Sequence, residues 1–516
     1  MVCDSQTEIV EFLSAPKNYG GAAVQRIDTH LSHVFLVGAR VYKVKRAIRY
    51  DFVNFSTVDL RKRACENEVK VNRRTAPEMY LGVVPLYCDE TGVNWEGRGE
   101  VVEWAVEMVR FDPGQQFDEL LAHGKLQEKA VIKLADKISQ FHLKAERKTL
   151  FRSRSEIGFV LDRIVTSLHG QEMSSGREKD VARWMTLAHM EYEKNMQALD
   201  ARRRHGWVRH CHGDLHLANI CMFNGEPTPF DAIEFNEDLA DIDVLYDLAF
   251  VLMDLINHNR SKLANLLLNR YLCVTRDYAG LTLLRLFLSM RAAVRAMVLN
   301  LSVQPVESKR LAGRYLDLAL EFLIGKSKPH LVVVGGYSGV GKSTLARALA
   351  LEFGSRCGAV VLRSDVIRKH LDGCVPEARL GDAAYSEVRT EHVYKRMFKD
   401  ARRALRAGQS VVLDATFLDP LFRERARSIA LNANVPFRGV WLTAPRDILV
   451  DRVSKRFHGA SDATVSVLNK QLERAEEPKH WRIINAGGAP RDTLNRALAV
   501  LDIDDAMERF AKTDAD

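Results

Sequence analysis

The 516-residue sequence has few cysteines and no pattern among them. Its eight, Cys3, Cys65, Cys88, Cys211, Cys221, Cys273, Cys357 and Cys374, form no CxxC pair and no metal-ligand spacing. That argues against a disulfide framework or a cysteine-built metal site, and it predicts idle thiols in a reducing cytoplasm. A secretory leader is not expected either: MVCDSQTEIVEFL carries acids where a leader needs a basic and then an apolar region. Long uninterrupted hydrophobic runs are also lacking. The most apolar segment, LTLLRLFLSMRAAVRAMVL from Leu281, is broken by Arg285, Arg291 and Arg295, which predicts a helix buried on one face rather than a membrane span. There is no internal repeat and no low-complexity segment. No basic patch is interleaved with aromatics, as a single-strand nucleic-acid binder would require.

What is present is globular: 47% hydrophobic and 28% charged residues, too balanced for long disordered tracts or a coiled coil. A net charge of +8 fits a Lys- and Arg-rich surface first, anionic substrates second and nucleic acid third. The length calls for two or more domains. A helical pattern from Ala312 to Gly325 stops in Lys326, Ser327, Lys328 and Pro329, and a hydrophobic strand begins at Leu331. The predicted domains are therefore 1–326 and 330–516.

The second domain alternates strand-like runs (LVVVGG, AVVLRS, SVVLDAT, FRGVWLTA) with helical stretches, which predicts an α/β domain with a parallel sheet. Its first strand leads into Gly336, Tyr337, Ser338, Gly339, Val340, Gly341, Lys342 and Ser343, which fit G-x-x-x-x-G-K-[ST], and Thr344 follows as the helix begins. Glycines let such a loop turn its N–H groups toward phosphates, with the helix N-terminus adding its positive end. Lys342 then reaches the β- and γ-phosphates of ATP, and the Ser343 hydroxyl holds Mg²⁺. Arg363, Ser364, Asp365 and Arg368 follow the second strand. Asp365 is the candidate base for an acceptor hydroxyl, against the plainer role of a helix cap. Asp414 ends the next strand as a candidate Mg²⁺ carboxylate. Arg452 and Arg456 are candidate charge-neutralising arginines, with a solvated helix face as the plainer alternative.

The first domain opens differently. HVFLVG and RVYKVKR, separated by a turn at Gly38, predict an antiparallel hairpin, and helical patterns dominate after about residue 125. This is an α+β order. In RHCHGDLHLANICMF, Asp214 is placed to take a hydroxyl proton and Asn219 to hold Mg²⁺, the two chemistries that metal-assisted phosphoryl transfer needs on one loop. Lys43 and Lys45 share one face of the hairpin's second strand, and one of them is expected to pair with phosphates.

GYSGVGKST, RSDVIR, VVLDATF and the late SKR segment resemble the small P-loop kinases that include polynucleotide 5′-hydroxyl kinases, gluconate kinase and zeta toxins. The resemblance implies γ-phosphoryl transfer from ATP to a hydroxyl, with Asp365 matching the family's general base. CHGDLHLANI with the later Asp247, Leu248 and Ala249 resembles the aminoglycoside phosphotransferases and related protein-kinase-like enzymes. On that pattern Lys43 is the strand lysine and Glu68 its helix partner, with Lys45 and Glu66 as second choices. The family's metal aspartate falls nearest Glu234, while Asp231 is the aspartate close by, and both stay open as ligands. Together the halves resemble bacterial fusions of an aminoglycoside phosphotransferase-like domain with an ATP-binding kinase domain. That implies two ATP and Mg²⁺ sites acting on a hydroxyl of a small molecule or a nucleic-acid end, without naming either acceptor. Two other readings make the first domain a binding or regulatory module, or make the whole an ATP-gated scaffold. A pure sensor, however, needs no general base.

Overall fold

The computed structural model describes residues 6–50, 53–148, 156–169, 177–300, 305–325, 328–455, 462–474 and 477–501. The chain divides into two compact units, Met1–Gln171 with Leu199–Asp254, and Glu172–Ala198 with Leu255–Asp516. The boundary read at residues 326–330 thus lies inside the second unit.

The first unit begins with a sheet whose pairings are all antiparallel. Its strands are β1 (Val24–Asp28), β2 (Ser32–Val37), β3 (Arg40–Lys45), β6 (Tyr80–Asp89), β7 (Gly92–Asn94) and β8 (Glu100–Val109), in the order β1-β2-β3-β8-β6-β7. A small ladder of β4 (Arg49–Tyr50) and β5 (Val53–Asn54) stands apart. The expected hairpin is β2 and β3, turning through Gly38 at φ +52°. Thr57 starts helix Val58–Asn72 by accepting the Leu60 N–H. The helix then lays Cys65 and Val69 against Leu36, Val41, Val106 and Met108 of the sheet. Helices Phe117–Ala122, Glu128–Lys144 and Glu156–His169 follow. Four short strands frame the functional loop: β9 (Val208–His210) pairs with β12 (Asp241–Asp243), and β10 (Ile220–Phe223) with β11 (Glu226–Pro229).

In the second unit every sheet pairing is parallel. The strands β13 (Leu331–Gly336), β14 (Val360–Arg363), β15 (Val411–Asp414), β16 (Phe437–Thr443) and β17 (Arg482–Asn485) run in the order β14-β15-β13-β16-β17. Val332, Val334, Val412 and Val440 pack against Leu345 and Leu349 of helix Lys342–Glu352. The register aligns Arg363 and Val334 with Asp414, so the chemistry-bearing residues arrive together at the carboxyl ends of neighbouring strands.

Helices Ser261–Thr275, Leu284–Asn300 and Pro305–Ile324 belong to this unit. The arginine-broken segment is indeed a helix, but its first three turns are buried around most of their circumference rather than on one face. Its polar groups find partners in the unit: Ser289 Oγ donates to Ala319 O at 2.7 Å and accepts from Trp184 Nε1 at 2.9 Å, and Arg285 donates to Leu323 O. Among the described residues no helix is long and apolar enough to cross a membrane.

Two asparagines of helix Ser261–Thr275 pair with the free edge of β14 and with the residues leading into it. Asn269 accepts the Val361 N–H at 2.7 Å, and Asn265 Nδ2 donates to the carbonyls of Cys357 at 2.7 Å and Ala359 at 3.0 Å. A side-chain amide carries the donor and acceptor of a peptide group, so it substitutes for a neighbouring strand. Asn265→Leu removes the side-chain donor to Cys357 O and one of two such donors to Ala359 O, and should lower the stability of this unit by about 1–3 kcal/mol. The check is the urea midpoint of the full chain followed by a probe in the second unit.

Candidate active sites

Side chains two apart on a strand share a face, so β3 presents Lys43 and Lys45 together. Both reach Glu68 of helix Val58–Asn72, Lys43 Nζ at 2.8 Å from Oε1 and Lys45 Nζ at 2.5 Å from Oε2. Lys43 also lies 2.5 Å from Asp231 Oδ1, and Lys45 pairs with Glu234. The sequence left a choice between two lysines and between two carboxylates, and the structure brings all four into one cluster. Glu66 takes no part in these contacts.

Glu68 is fully buried. Burial opposes its charge, yet the two ammonium groups hold its carboxyl down to about 2. Burial likewise works against Lys43, but Asp231 and Glu68 raise it well above the usual lysine range. Glu234 is pushed up by burial and by the Glu68 carboxylate, with Lys45 pulling the other way. Exposure separates the two metal candidates: the Asp231 side chain is 42% exposed and that of Glu234 5%.

The backbone carrying them is strapped down. Asp231 has φ +60°, a left-handed conformation uncommon away from glycine. Its N–H donates to the Tyr80 hydroxyl at 3.1 Å, and the Ala232 N–H donates to Asn72 Oδ1 at 2.8 Å. His212, buried and thereby held below the usual histidine range, contacts Phe230 O through Nε2 at 3.0 Å.

The HGD loop follows β9. Asp247 accepts the N–H groups of His212 and Gly213, each at 3.0 Å, and lies 3.1 Å from His142 Nε2; Asp254 accepts the Leu217 N–H. A Cβ on Gly213, at φ +85°, would fall 2.9 Å from Ile233 Cδ1 and 3.0 Å from Leu239 O, so only glycine fits. Asn219 Nδ2 donates to both the backbone and the carboxylate oxygen of Asp214 at 2.9 Å. This holds the Asp214 side chain and engages only the donor side of the amide, leaving Asn219 Oδ1 as its acceptor atom. His142, Cys211 and Asp247 lie close enough to enclose a metal ion, but the Asp247 oxygens serve the loop and Cys211 Sγ donates to Ile242 O. They form a structural knot. Sequence reading passed over Tyr80, Asn72 and His142, because a distant hydroxyl, amide or imidazole carries no local pattern.

In the second unit the loop from Gly336 to Gly341 wraps as its motif requires. Gly336, Gly339 and Gly341 have φ of +134°, +84° and +104°. A Cβ on Gly336 would meet Leu442 O at 2.5 Å, and one on Gly339 would meet Val453 Cγ2 at 2.7 Å. Lys342 Nζ folds back onto Tyr337 O at 2.7 Å, and Gln471 accepts the Ser338 N–H at 2.9 Å. Arg363 donates to Ser343 Oγ at 3.0 Å and to Asp414 Oδ2 at 3.1 Å. Burial, then the neighbouring Asp414 carboxylate, raises Asp365 above the usual aspartate range against the pull of Arg363, Lys342 and Arg368. Arg368 donates to Ala384 O at 2.5 Å and lies over the Tyr385 ring.

Not every candidate converges. Arg452 is engaged by the carbonyls of Ala486, Gly487 and Gly488 at 2.8–3.3 Å. Arg456 lies outside the described residues. Thr344, the residue after Ser343, sits in the first turn of helix Lys342–Glu352. Ser343 and Asp414, and Asn219 with Asp231, offer the hard oxygen donors that Mg²⁺ takes.

The model of the phosphotransferase enzyme family matches residues 58–284, and that of an AAA domain matches residues 331–478. An uncharacterized protein of Mycobacterium tuberculosis (strain ATCC 25618 / H37Rv) is 32% identical over 487 residues, covering 92% of this chain and 94% of its own. The chain belongs to that protein's family. The family joins a phosphotransferase domain to a P-loop kinase domain, and the chain is an ATP-dependent kinase. An adenylyl-sulfate kinase of Myxococcus xanthus is 32% identical over 129 residues, 25% of this chain and 65% of that protein. A solved choline/ethanolamine kinase family protein from Mesorhizobium loti covers 62% of this chain and 95% of its own at 12% identity, with a TM-score of 0.39.

A carboxylate whose folded pKa is depressed stabilises above its unfolded pKa and loses that contribution as pH falls toward the folded value. For Glu68 the window runs from about 4.5 down to about 2. Glu68→Gln should therefore destabilise the first unit at pH 7, with the gap to wild type closing through that window. Urea titrations at stepped pH read this out, and a gap independent of pH would contradict it.

Proposed function

We propose that the chain carries two phosphotransferase sites, each moving the γ-phosphoryl group of ATP to a hydroxyl, and that its working domains are residues 1–326 and 330–516. The family matches at 58–284 and 331–478 fall on either side of that division. The observation that carries the reading is the convergence of Asp365, Asp414, Lys342 and Ser343 at the strand ends of the second unit, where Asp365 feels both Asp414 and Lys342.

In the second site Asp365 takes the proton of the acceptor hydroxyl as the new O–P bond forms and the bond from the γ-phosphorus to the bridging oxygen breaks, leaving ADP. Lys342 leaves Tyr337 O for the phosphates. Ser343 and Asp414 would hold Mg²⁺, which when bound would offset the negative charge of the phosphates. Arg368 places positive charge near Asp365, which favours an acceptor with an anionic group, as adenylyl sulfate is. In the first site Asp214 is the base, held by Asn219 Nδ2. Asn219 Oδ1 and the exposed Asp231 are the metal donors. Lys43 serves the phosphates, while Glu234 stays behind as the buried partner of Lys45. A small-molecule acceptor is favoured over a nucleic-acid end, for want of aromatics within basic patches. The work belongs in the cytoplasm, where ATP is available.

A second reading keeps the first domain as a recognition module without turnover. It rests on one observation: Lys43 and Lys45 are each already paired with two carboxylates.

ATP binding stoichiometry and hydrolysis with Mg²⁺ decide between the two. The double kinase requires two nucleotides per chain, with Lys342→Ala and Asp214→Ala each removing its own share of activity. One nucleotide, lost with Lys342→Ala alone, establishes the recognition module instead. Within the second site, Asp365→Asn should keep nucleotide binding but lower kcat by about 10²–10⁴-fold. The acid limb of the wild-type rate profile should lie above the ordinary aspartate range, because the base must lose its proton from a raised pKa.

A further inference from the structure

Arg363 ends β14 one residue before helix Ser364–Leu371 and faces the phosphate loop. Its guanidinium spans two oxygens: one nitrogen donates to Ser343 Oγ at 3.0 Å and another to Asp414 Oδ2 at 3.1 Å. Those are the two side chains that the proposed function assigns to Mg²⁺, and the present inference rests on that assignment. The Asp414 side chain is 5% exposed, so its charge needs a partner inside the protein, and Arg363 is the cation that meets it. Mg²⁺ binds oxygen at about 2.1 Å and keeps a rigid octahedral shell, so a guanidinium hydrogen-bonded to the same two oxygens and a metal ion between them exclude each other.

We propose that Arg363 is a built-in competitor for the metal seat of the P-loop site: it neutralises Asp414 while no nucleotide is bound, and metal enters only when the phosphates of ATP arrive to repay its displacement. The effect is an ordered site. Metal alone must expel a charge-assisted bond and then sit near a released positive charge, whereas ATP supplies negative oxygens for both the metal and the guanidinium. Once released, Arg363 has exchanged a carboxylate for phosphate and stays at the same strand end as Asp365. Lys342 behaves consistently, since its ammonium is held on Tyr337 O and also has to be exchanged.

The test is Mn²⁺ binding to nucleotide-free full-length protein, read from the electron paramagnetic resonance signal of unbound Mn²⁺. Wild type, Arg363→Gln, Arg363→Lys, Asp414→Asn and the Arg363→Gln/Asp414→Asn double variant are compared, with circular dichroism to confirm folding. Arg363→Gln should bind one Mn²⁺ about ten- to a hundredfold more tightly than wild type, the scale of removing one partly screened charge. The gain should vanish in the double variant, which separates it from Mn²⁺ held in the first unit. Arg363→Lys keeps the charge and should stay close to wild type, which covers a glutamine variant that folds poorly. Unchanged affinity in Arg363→Gln, or a gain that survives Asp414→Asn, overturns the proposal. The same titration with a non-hydrolysable ATP analogue isolates the underlying assignment: if Asp414→Asn takes up Mn²⁺ with nucleotide as wild type does, the metal seat itself is misplaced.

Discussion

Glu68 is a fully buried carboxylate held between two ammonium groups, and the first unit is arranged around that arrangement. A buried charge costs several kcal/mol unless partners surround it, so β3 must deliver both lysines to one face, which the period of two in a strand achieves. The lysines then need acceptors on their other side, and Asp231 and Glu234 supply them. Those residues need a fixed backbone. The left-handed conformation at Asp231, with a cost on the order of 1–3 kcal/mol, is held by the Tyr80 hydroxyl and the Asn72 amide. Through His212 the same segment is tied to the HGD loop, which Asp247 clamps from below. One buried charge thus fixes the hairpin, the helix and the loop in mutual register.

The second unit answers the same electrostatic demand mainly with backbone. Three glycines at positive φ turn the loop, and the close approach of Leu442 O and Val453 leaves no room for a Cβ at two of them. Side-chain charge is concentrated at the strand ends instead, where Asp365 and Asp414 lie near one another. Burial first, and then the Asp414 carboxylate, raises Asp365 above the usual aspartate range, while the buried Asp414 is hydrogen-bonded to Arg363. On the proposed function this difference separates two aspartates of identical chemistry, with Asp365 as the proton acceptor and the arginine-bound Asp414 as the metal carboxylate.

Much of this was legible from the residues alone. The loop Gly336–Ser343, the strand-end Asp365 and Asp414, and the placing of Asp214 and Asn219 on one short loop are local patterns, and local patterns survive in a sequence. The parallel sheet and the hairpin were equally readable, because alternation and turn residues mark them. Three things were not. The use of both lysines depends on where Glu234 arrives from nearly two hundred residues away. The service of Asn265 and Asn269 to an edge strand leaves no trace in their neighbours, since the same letters sit on any helix surface. The bridge from Arg363 to Ser343 and Asp414 follows from strand register, which puts residue 363 beside 414, and register between parallel strands is set by the whole core.

These partnerships have one consequence for binding. The cations that would hold phosphate are already held by the protein: Lys43 and Lys45 by carboxylates, Lys342 by the Tyr337 carbonyl, Arg363 by Asp414 and Ser343. Nucleotide binding is then an exchange, and its free energy is a difference between two paired states rather than the sum of new contacts. A ligand with one weak negative group gains too little to displace a charge-assisted bond, whereas a polyphosphate replaces several at once. Discrimination against poor ligands is built into the unliganded state, because the pairing that stabilises each fold is the pairing the substrate has to outcompete. At the first site both lysines are held by carboxylates, and at the second a carboxylate holds Arg363 while a carbonyl takes part in holding Lys342, so each site presents charge-assisted bonds that a polyphosphate has to replace.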